Sequence, residues 1–457
     1  MGGVVIELDR ERAEVPLEGL GPPSRWRGLA VAVVALVSGT VLVAAAPLPG
    51  SRLIELARID PSAVTTMRMT DSMLVAVMRD GGPHLAGYQL ADGALRWSVP
   101  LPLDSVDVQV GGELTVVDDV VLLSISDTSA TTRTVAMDAT SGRELWRSDL
   151  PPIPGLGGGG RVVLAAYVDP DGRPGEQVYR GTTGPWLPLL LRAVDARTGR
   201  LVWTYRVPAG WQTALPSDPA GAVPAGGFVA VSPGGQATTV DLGTGAPRAS
   251  AAIDSTAVLR RGLGELPTWL TLGVYGDLLV LVTVSGGRPV LAAYRLGTLA
   301  PQWTSTVSAV NVNVGRCGPW LCAGDGHSIH AVALATGAPA WTLADAGHFK
   351  GWALGWMYDE PYPVDPDDAT LVDPLTQRVL LHLGQWRIPE PSSTGPVLAM
   401  LPERHSNRTW LGLLTTGPRI DILGAVVDQA LNNCDLGDTY LACVTTNGEL
   451  RIWRYVR

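Results

Sequence analysis

The chain has 457 residues, a formal net charge of −9 and an isoelectric point near 5.2. With 54 Gly, 36 Pro, 15 Trp and 46% hydrophobic residues, its composition is typical of a large core with many turns and excludes a disordered chain. The acidic balance opposes sequence-independent nucleic-acid binding, which needs clustered Lys and Arg to displace counterions from phosphates. We therefore expect no nucleic-acid partner.

Residues 28–46, GLAVAVVALVSGTVLVAAA, form an uncharged apolar segment near the N-terminus. As a helix rising about 1.5 Å per residue it is about 28 Å long, enough to cross a hydrocarbon core of about 30 Å. Arg25-Trp26-Arg27 precedes it, so the positive-inside rule places residues 1–27 in the cytoplasm and the chain after Pro47 outside. The sequence predicts a single-pass transmembrane helix.

A cleaved signal peptide is the alternative, because Ala44-Ala45-Ala46 has the small residues that precede a cleavage site. Pro47 directly after that site opposes cleavage, as does a charged leader of this length. No Cys occurs between residues 40 and 55, which excludes lipid attachment there. A retained anchor is the favoured interpretation.

Four cysteines fall into two close pairs, Cys317 with Cys322 and Cys434 with Cys443. Short turn-forming segments separate the members of each pair, so each pair faces across a hairpin. This predicts two local disulfides and an oxidising compartment. The alternative, a zinc site, needs ligands from separated hairpins, and no C-x-x-C is present.

One pattern recurs along the chain and is clearest from Ala193 to Trp203, with a close copy from Ala136 to Trp146. Its fixed positions are an Asp, a Gly and a Trp: Asp138, Gly142 and Trp146 in one copy, Asp195, Gly199 and Trp203 in the other. Other copies end at Trp97, Trp303 and Trp341. Copies around Asp241 and Asp373 have lost the Trp.

The pattern describes a hairpin in which a strand, a polar turn with a Gly at φ > 0 and a second strand ending in an aromatic residue follow one another. Spacings of about 38 to 57 residues between copies suit a four-stranded propeller blade, with the Trp packed between neighbouring blades. We expect eight blades, with seven as the alternative. Glu449 to Tyr455 has no hairpin partner after it, so residues near 52–60 are expected to supply the closing strand.

The motif A-x-D-x-x-T-G-x-x-x-W resembles the pyrroloquinoline-quinone-type (PQQ-like) propeller repeat, and the resemblance covers roughly residues 60–457. It implies an all-β propeller. With the transmembrane α-helix predicted above, we expect a membrane-anchored bacterial member of the family, of actinobacterial type. The resulting division is a leader (1–27), a membrane helix (28–46), a linker with a closing strand (47–59) and an extracytoplasmic propeller (60–457).

The family includes quinone dehydrogenases, assembly factors without a cofactor and uncharacterised envelope proteins. The dehydrogenases resemble one another in two adjacent cysteines over the cofactor, and in Glu, Asn and Asp around a calcium ion. This chain has no Cys-Cys dipeptide. We therefore expect no cofactor, no metal and no catalytic residues.

Other candidates are weak. His327 and His330, three apart on a turn and a strand, fall on opposite faces and do not form a chelating pair. Three stretches are predicted to be irregular: Pro151 to Gly160, Pro208 to Gly227 and Pro361 to Asp368. Trp211 and Tyr362 lie in the last two, either as partner anchors or as loop core.

These observations favour a non-catalytic binding or scaffold protein of the cell envelope, anchored in the membrane, with another envelope protein or a small ligand as partner. A quinone-dependent oxidoreductase is one alternative. An extracytoplasmic sensor is another, and its short leader would need a second protein for signalling.

Overall fold

The structure is a computed structural model. It describes residues 51–59, 64–79, 81–101, 114–126, 132–157, 159–168, 187–216, 227–232, 234–253, 271–285, 288–307, 313–324, 328–344, 348–353, 356–360, 369–389, 396–403, 406–427 and 431–456. These residues form 35 β-strands in nine sheets, numbered as blades 1 to 9 in chain order.

The first strand, β1 (Leu53–Ile59), belongs to the last blade, and blades 1 to 3 follow it with four strands each, paired in chain order. Blade 1 contains β2 (Thr66–Met69), β3 (Met73–Met78), β4 (His84–Gln89) and β5 (Leu95–Pro100). Blade 2 contains β6 (Leu114–Val117), β7 (Val120–Ser126), β8 (Thr132–Asp138) and β9 (Glu144–Ser148). Blade 3 contains β10 (Pro152–Gly157), β11 (Arg161–Tyr167), β12 (Leu189–Asp195) and β13 (Leu201–Val207).

Blades 4 to 7 repeat this antiparallel plan. Blade 4 contains β14 (Gln212–Ala214), β15 (Gly227–Val231), β16 (Gln236–Asp241) and β17 (Pro247–Ala252). Blade 5 contains β18 (Thr271–Tyr275), β19 (Leu278–Ser285), β20 (Arg288–Arg295) and β21 (Pro301–Thr306). Blade 6 contains β22 (Asn313–Cys317), β23 (Trp320–Gly324), β24 (Ser328–Ala333) and β25 (Pro339–Ala344). Blade 7 contains β26 (His348–Ala353), β27 (Trp356–Glu360), β28 (Ala369–Val372) and β29 (Val379–Gly384).

The last two blades depart from the plan. Blade 8 contains β30 (Val397–Glu403), β31 (Arg408–Leu414) and β32 (Ile420–Val426), and Arg387 pairs with Met400 on the free edge of β30. Blade 9 contains β33 (Leu431–Leu436), β34 (Tyr440–Thr445) and β35 (Leu450–Tyr455), with β1 as its fourth strand. The N-terminal strand therefore completes the blade that the C-terminal strands begin.

The first strands of neighbouring blades lie side by side at the axis of a ring. Such contacts join β2 with β6, β6 with β10, β14 with β18, and β22 with β26. Strand β33 of blade 9 lies beside β2 of blade 1, so the ring closes between the last blade and the first. The architecture is a β-propeller with its first strands at the axis and its fourth strands at the periphery.

Burial follows this radial order. Every residue of β3 and of β15 is buried, because these second strands have blades packed on both sheet faces. The outer strands β5 and β17 instead alternate between exposed and partly buried positions. The core is thus a series of apolar layers between successive blades.

The expectation of eight or seven blades is wrong, because the described residues form nine sheets. The missed sheet is blade 8, which carries no recognisable copy of the Asp, Gly and Trp pattern from which the blades were counted. Pro151 to Gly160 is also not an irregular stretch, since it contains β10, and Pro208 to Gly227 contains β14. Proline is tolerated in β10 because an edge strand leaves some backbone N–H groups without a ladder partner.

Within the described ranges, no helix is both long and apolar enough to cross a membrane. The predicted transmembrane segment at residues 28–46 lies outside those ranges, as do residues 1–27 and 361–368.

Glu449, directly before β35, lies between two arginines, one of which belongs to the closing strand β1. The Glu449 carboxylate accepts hydrogen bonds from Arg58 on β1 at 2.5 Å and from Arg451 on β35 at 2.9 Å. The side chains of Glu449 and Arg451 are only 8% and 9% exposed. Neutralising Glu449 leaves the buried guanidinium of Arg451 with a longer contact to Glu55, at 3.8 Å, and breaks the pair with Arg58.

We therefore expect Glu449→Gln to lower the free energy of unfolding by about 3 kcal/mol. Glu144→Gln is the matched control, because it removes an exposed ion pair with Arg147 and should cost less than about 1 kcal/mol. Urea unfolding followed by tryptophan fluorescence measures both. Equal losses in the two variants would show that the Glu449 pairs do not secure the closure.

Candidate functional site

The tryptophans of the repeat lie between blades and bind the turn of the next blade. The indole Nε1 donates to a backbone carbonyl one residue after the repeat Asp position of that turn: Trp97 to Ala139 at 3.0 Å, Trp146 to Ala196 at 2.7 Å, Trp203 to Leu242 at 2.8 Å and Trp303 to Leu334 at 2.9 Å. Each ring also lies on the repeat Gly of the same turn. One residue type thereby fixes four interfaces.

The glycines are required for two reasons. Gly142 and Gly199 both have φ of +67°, which disfavours side chains with a Cβ. A Cβ on Gly142 would also lie 2.5 Å from the ring of Trp97, and one on Gly199 would lie 2.6 Å from the ring of Trp146. The indole and the Gly are therefore a matched pair across an interface.

The interface between blades 4 and 5 has lost both members of this pair. Ala249 occupies the Trp position of blade 4, and Leu299 occupies the Gly position of blade 5. Leu299 is only 2% exposed and belongs to an apolar cluster against which Ala249 packs. Its φ of +56° costs roughly 1 kcal/mol for a residue with a Cβ. The Leu side chain fills the space that an indole fills elsewhere, and the two changes compensate each other.

We expect Leu299→Gly to destabilise the protein by about 2–4 kcal/mol through the cavity it leaves, and Ala249→Trp by about 1–3 kcal/mol through overpacking. The double variant should restore the usual pair and be more stable than the sum of the single losses by at least about 1 kcal/mol. Unfolding curves of the four proteins give this coupling energy. Additive losses would show that the positions do not compensate.

Trp341 is the exception among the predicted tryptophans. The Gly position opposite it is Gln377, with φ of +59°. An indole in the usual position leaves no room for a Cβ, and the buried Nε1 of Trp341 has no hydrogen-bond partner among the described residues. The ring instead makes an edge contact with Trp320, with centroids 6.1 Å apart.

The repeat aspartates stabilise the turn itself. The Asp195 carboxylate accepts from the Thr198 backbone N–H at 2.8 Å and the Thr198 hydroxyl at 2.7 Å. Asp138 makes the same two bonds with Ser141, at 2.9 and 2.8 Å. The hydroxyl and N–H of Thr198 hold the pKa of Asp195 below its ordinary value. These residues have a turn-forming role in the fold.

Because the folded pKa of Asp195 lies below the unfolded value of about 3.9, its bonds add stability above that pH, and this contribution is lost as the pH falls through the folded pKa. We expect Asp195→Asn to lose less stability between pH 5 and pH 2.5 than the wild-type protein does. Unfolding free energies measured across this range test the difference. Parallel pH profiles for the two proteins would contradict it.

Both predicted disulfides are present. Cys317 and Cys322 have Cα atoms 5.7 Å apart, and Cys434 and Cys443 have Cα atoms 4.1 Å apart. Each bond joins the first strand of a blade to the second, and all four residues are buried. The disulfides staple the axial strands, which have only one hydrogen-bonded neighbour in their sheet.

The remaining sequence candidates do not meet at a site. His330 bonds to the hydroxyls of Ser328 at 2.9 Å and Thr342 at 3.1 Å, and His327 lies outside the described residues. Trp211 packs on the core of blades 3 and 4, and Tyr362 is not among the described residues. In the part of the chain that the structure describes, no three His, Cys, Asp or Glu side chains are placed to hold a metal ion.

A concave cavity of about 910 Å³ opens near the axis, where blades 9, 1 and 2 meet. Its walls are the turns between the first and second strands of these blades, with turns that follow the third strands of blades 1 and 2. The lining residues are Met69, Thr70, Asp71, Ser72, Leu90, Val116, Asp118, Asp119, Ala139, Thr140, Asp435, Leu436, Gly437, Asp438, Thr439 and Tyr440. The cavity therefore lies at the seam where the ring closes.

The lining is acidic, with five aspartates and neither Lys nor Arg among the described residues that form it. Asp435 accepts a hydrogen bond from the Met69 backbone N–H at 2.6 Å and so ties blade 9 to blade 1. Asp119 pairs at the edge with Arg197, which also bonds Asp138 at 3.1 Å. Asp71 and Asp118 are exposed. The cavity presents negative charge to a ligand, which favours cationic groups.

Sequence reasoning missed this cavity. Its aspartates come from turns near residues 70, 118 and 437, which lie far apart in the chain and outside the repeat pattern. One signal was present in the sequence: aspartates occur where two of the first strands end, at Asp118-Asp119 and at Asp435 to Asp438. This pattern indicates that they share one end of the ring. Grouping them required the order of the blades around the ring.

A family model described as outer membrane protein assembly factor BamB matches residues 29–163 and 84–343. These matches span well over half of the chain, and the chain belongs to this family of PQQ-like repeat propellers. The resemblance seen in the repeat is thereby confirmed. No curated protein sequence matches the chain.

Three solved structures are similar in fold. BamB from Moraxella catarrhalis is 15% identical, with 88% of this chain and 100% of that chain covered and a TM-score of 0.42. A europium-containing methanol dehydrogenase is 13% identical, with 88% and 93% covered and a TM-score of 0.42. A eukaryotic initiation factor is 11% identical, with 85% and 99% covered and a TM-score of 0.49. With such low identities and TM-scores, these similarities indicate nothing about function or blade number.

Proposed function

We propose that the protein is a non-catalytic binding platform of the cell envelope, which recognises a partner protein through the acidic cavity between blades 9, 1 and 2. The observation that supports this proposal is the cavity itself, which has a volume of about 910 Å³ and is built from turns on a closed ring. Its aspartates favour a cationic segment of the partner. Membership of the BamB-type family agrees with a scaffold role.

In this proposal residues 28–46 form the membrane anchor, with residues 1–27 in the cytoplasm and the propeller outside. The two buried disulfides support an oxidising compartment for the propeller. The absence of charge from residues 28–46 and the arginines directly before them support the anchor and its orientation.

The first test is photo-crosslinking of the full-length protein in native membranes. A benzoyl-phenylalanine at Ser72 or Thr140, both exposed in the cavity wall, should give the same discrete crosslinked product. The same probe at Leu201, which is 55% exposed on the outer strand of blade 3, should not. Equal products from all three positions, or none from Ser72 and Thr140, would contradict recognition through the cavity.

Charge is tested in the same assay. We expect Asp71→Asn/Asp118→Asn to reduce the yield at Ser72 by roughly three- to tenfold at low salt, because both carboxylates attract the cationic segment and salt screens them. Asp149→Asn/Asp277→Asn removes the same charge from exposed sites outside the cavity lining and is the control. An equal reduction by the control would show that only net charge matters.

A quinone titration tests the non-catalytic part. The described cysteines are all paired within hairpins, and no two of them are adjacent in sequence. We expect no saturable change in absorbance when pyrroloquinoline quinone and calcium are added to the purified protein. Saturable binding near micromolar concentration would contradict the proposed binding platform and support a quinone-dependent enzyme.

A further inference from the structure

The sheet face of blade 9 that packs on blade 1 carries, at one exposed end, four side chains in two directly paired rows. Ile54 of β1 stands opposite Arg454 of β35, and the Val456 N–H donates to the Arg52 carbonyl at 3.1 Å. Alternation along each strand puts Arg52, Ile54, Arg454 and Val456 on one face of the sheet. Ile54 is 43% exposed and Val456 is 52% exposed, and both arginines are exposed.

The opposite face of the same strands is buried. Trp453 and Tyr455 are 3% and 2% exposed and, with Leu53, belong to the apolar layer against blade 8. The exposed face is therefore not a poorly packed end of the blade, since the strands that bear it are firmly held. It is a surface in which two aliphatic side chains lie among two guanidinium groups.

The position of this patch in the chain indicates what covers it. Only residues 47–50 separate the apolar segment 28–46 from Ser51, the first described residue. Four residues span at most about 14 Å even when fully extended. The chain then joins the propeller at once, because the Arg52 N–H donates to the Leu423 carbonyl of blade 8 at 2.6 Å. The patch thus begins within a short tether of the segment proposed to lie in the bilayer.

Its chemistry also suits a lipid surface. Aliphatic side chains enter the boundary between headgroups and acyl chains, while arginines beside them reach lipid phosphates. Arginines near an anionic membrane are attracted to its surface. A soluble partner is not required to explain why apolar and basic side chains alternate here.

We infer that the patch of Arg52, Ile54, Arg454 and Val456 rests on the headgroup surface of the membrane. This inference depends on the proposed anchor at residues 28–46. The patch holds the propeller in one orientation against the bilayer. In the same row across the sheet, Tyr440 pairs with Arg454 and lines the acidic cavity, so the cavity mouth adjoins the membrane-facing surface.

The test uses the full-length protein in vesicles of phosphatidylcholine with phosphatidylglycerol. A nitroxide label is attached at Ile54→Cys or at Leu201→Cys, the latter being a control at 55% exposure on blade 3. We expect the label at position 54 to collide several-fold less often with a water-soluble nickel chelate than the label at position 201. In the same vesicles, kept free of detergent, the double variant Arg52→Gln/Arg454→Gln should partly restore the collisions at position 54.

Flotation of the same vesicles on a density gradient separates the two proposals. Protein that fails to float with the vesicles refutes the anchor, and the inference falls with it. Protein that floats while the two labels collide equally with the chelate overturns the inference alone. Protein that floats with selective protection of position 54 supports both.

Discussion

The contact on which the ring depends is the tryptophan of one blade lying on the glycine of the next. The indole N–H satisfies a turn carbonyl that would otherwise end in the interface, and the ring buries a large apolar surface at the same place. Because the Gly has no Cβ, the two blades approach closely. The constraint acts between blades, so a change at the Gly of one blade affects the Trp of its neighbour.

At the interface between blades 4 and 5 the repeat has changed on both sides. Ala249 faces Leu299, so the volume lost on one side of the interface is supplied by the other. At the closing interface Ala57 takes the Trp position, and a Cβ on Gly93 would lie 2.2 Å from it. Trp341 faces Gln377 and finds its contact in Trp320 instead. The residues that fill these interfaces therefore differ from one pair of blades to the next.

The sequence predicted well where the repeat is intact and poorly where it is not. The repeat contains the third and fourth strands of a blade, so the copies around Trp146 and Trp203 identified their hairpins, turn residues and packing role. The first strands carry no such pattern, and the prolines within β10 led to the prediction of an irregular stretch there. Blade 8 has no copy at all. The cavity was out of reach because its walls are turns brought together only by the closure of the ring.

The closure of the ring therefore also forms the cavity. The Asp435 carboxylate and the Met69 N–H that it binds are separated by 366 residues, and they span the seam between the last blade and the first. The seam is held by β1, whose Arg58 pairs with Glu449 next to β35. Anything that displaces β1 weakens blade 9 and with it one wall of the cavity. The cavity is thus formed where the first and last blades meet, and its shape depends on the pairing of β1 with β35.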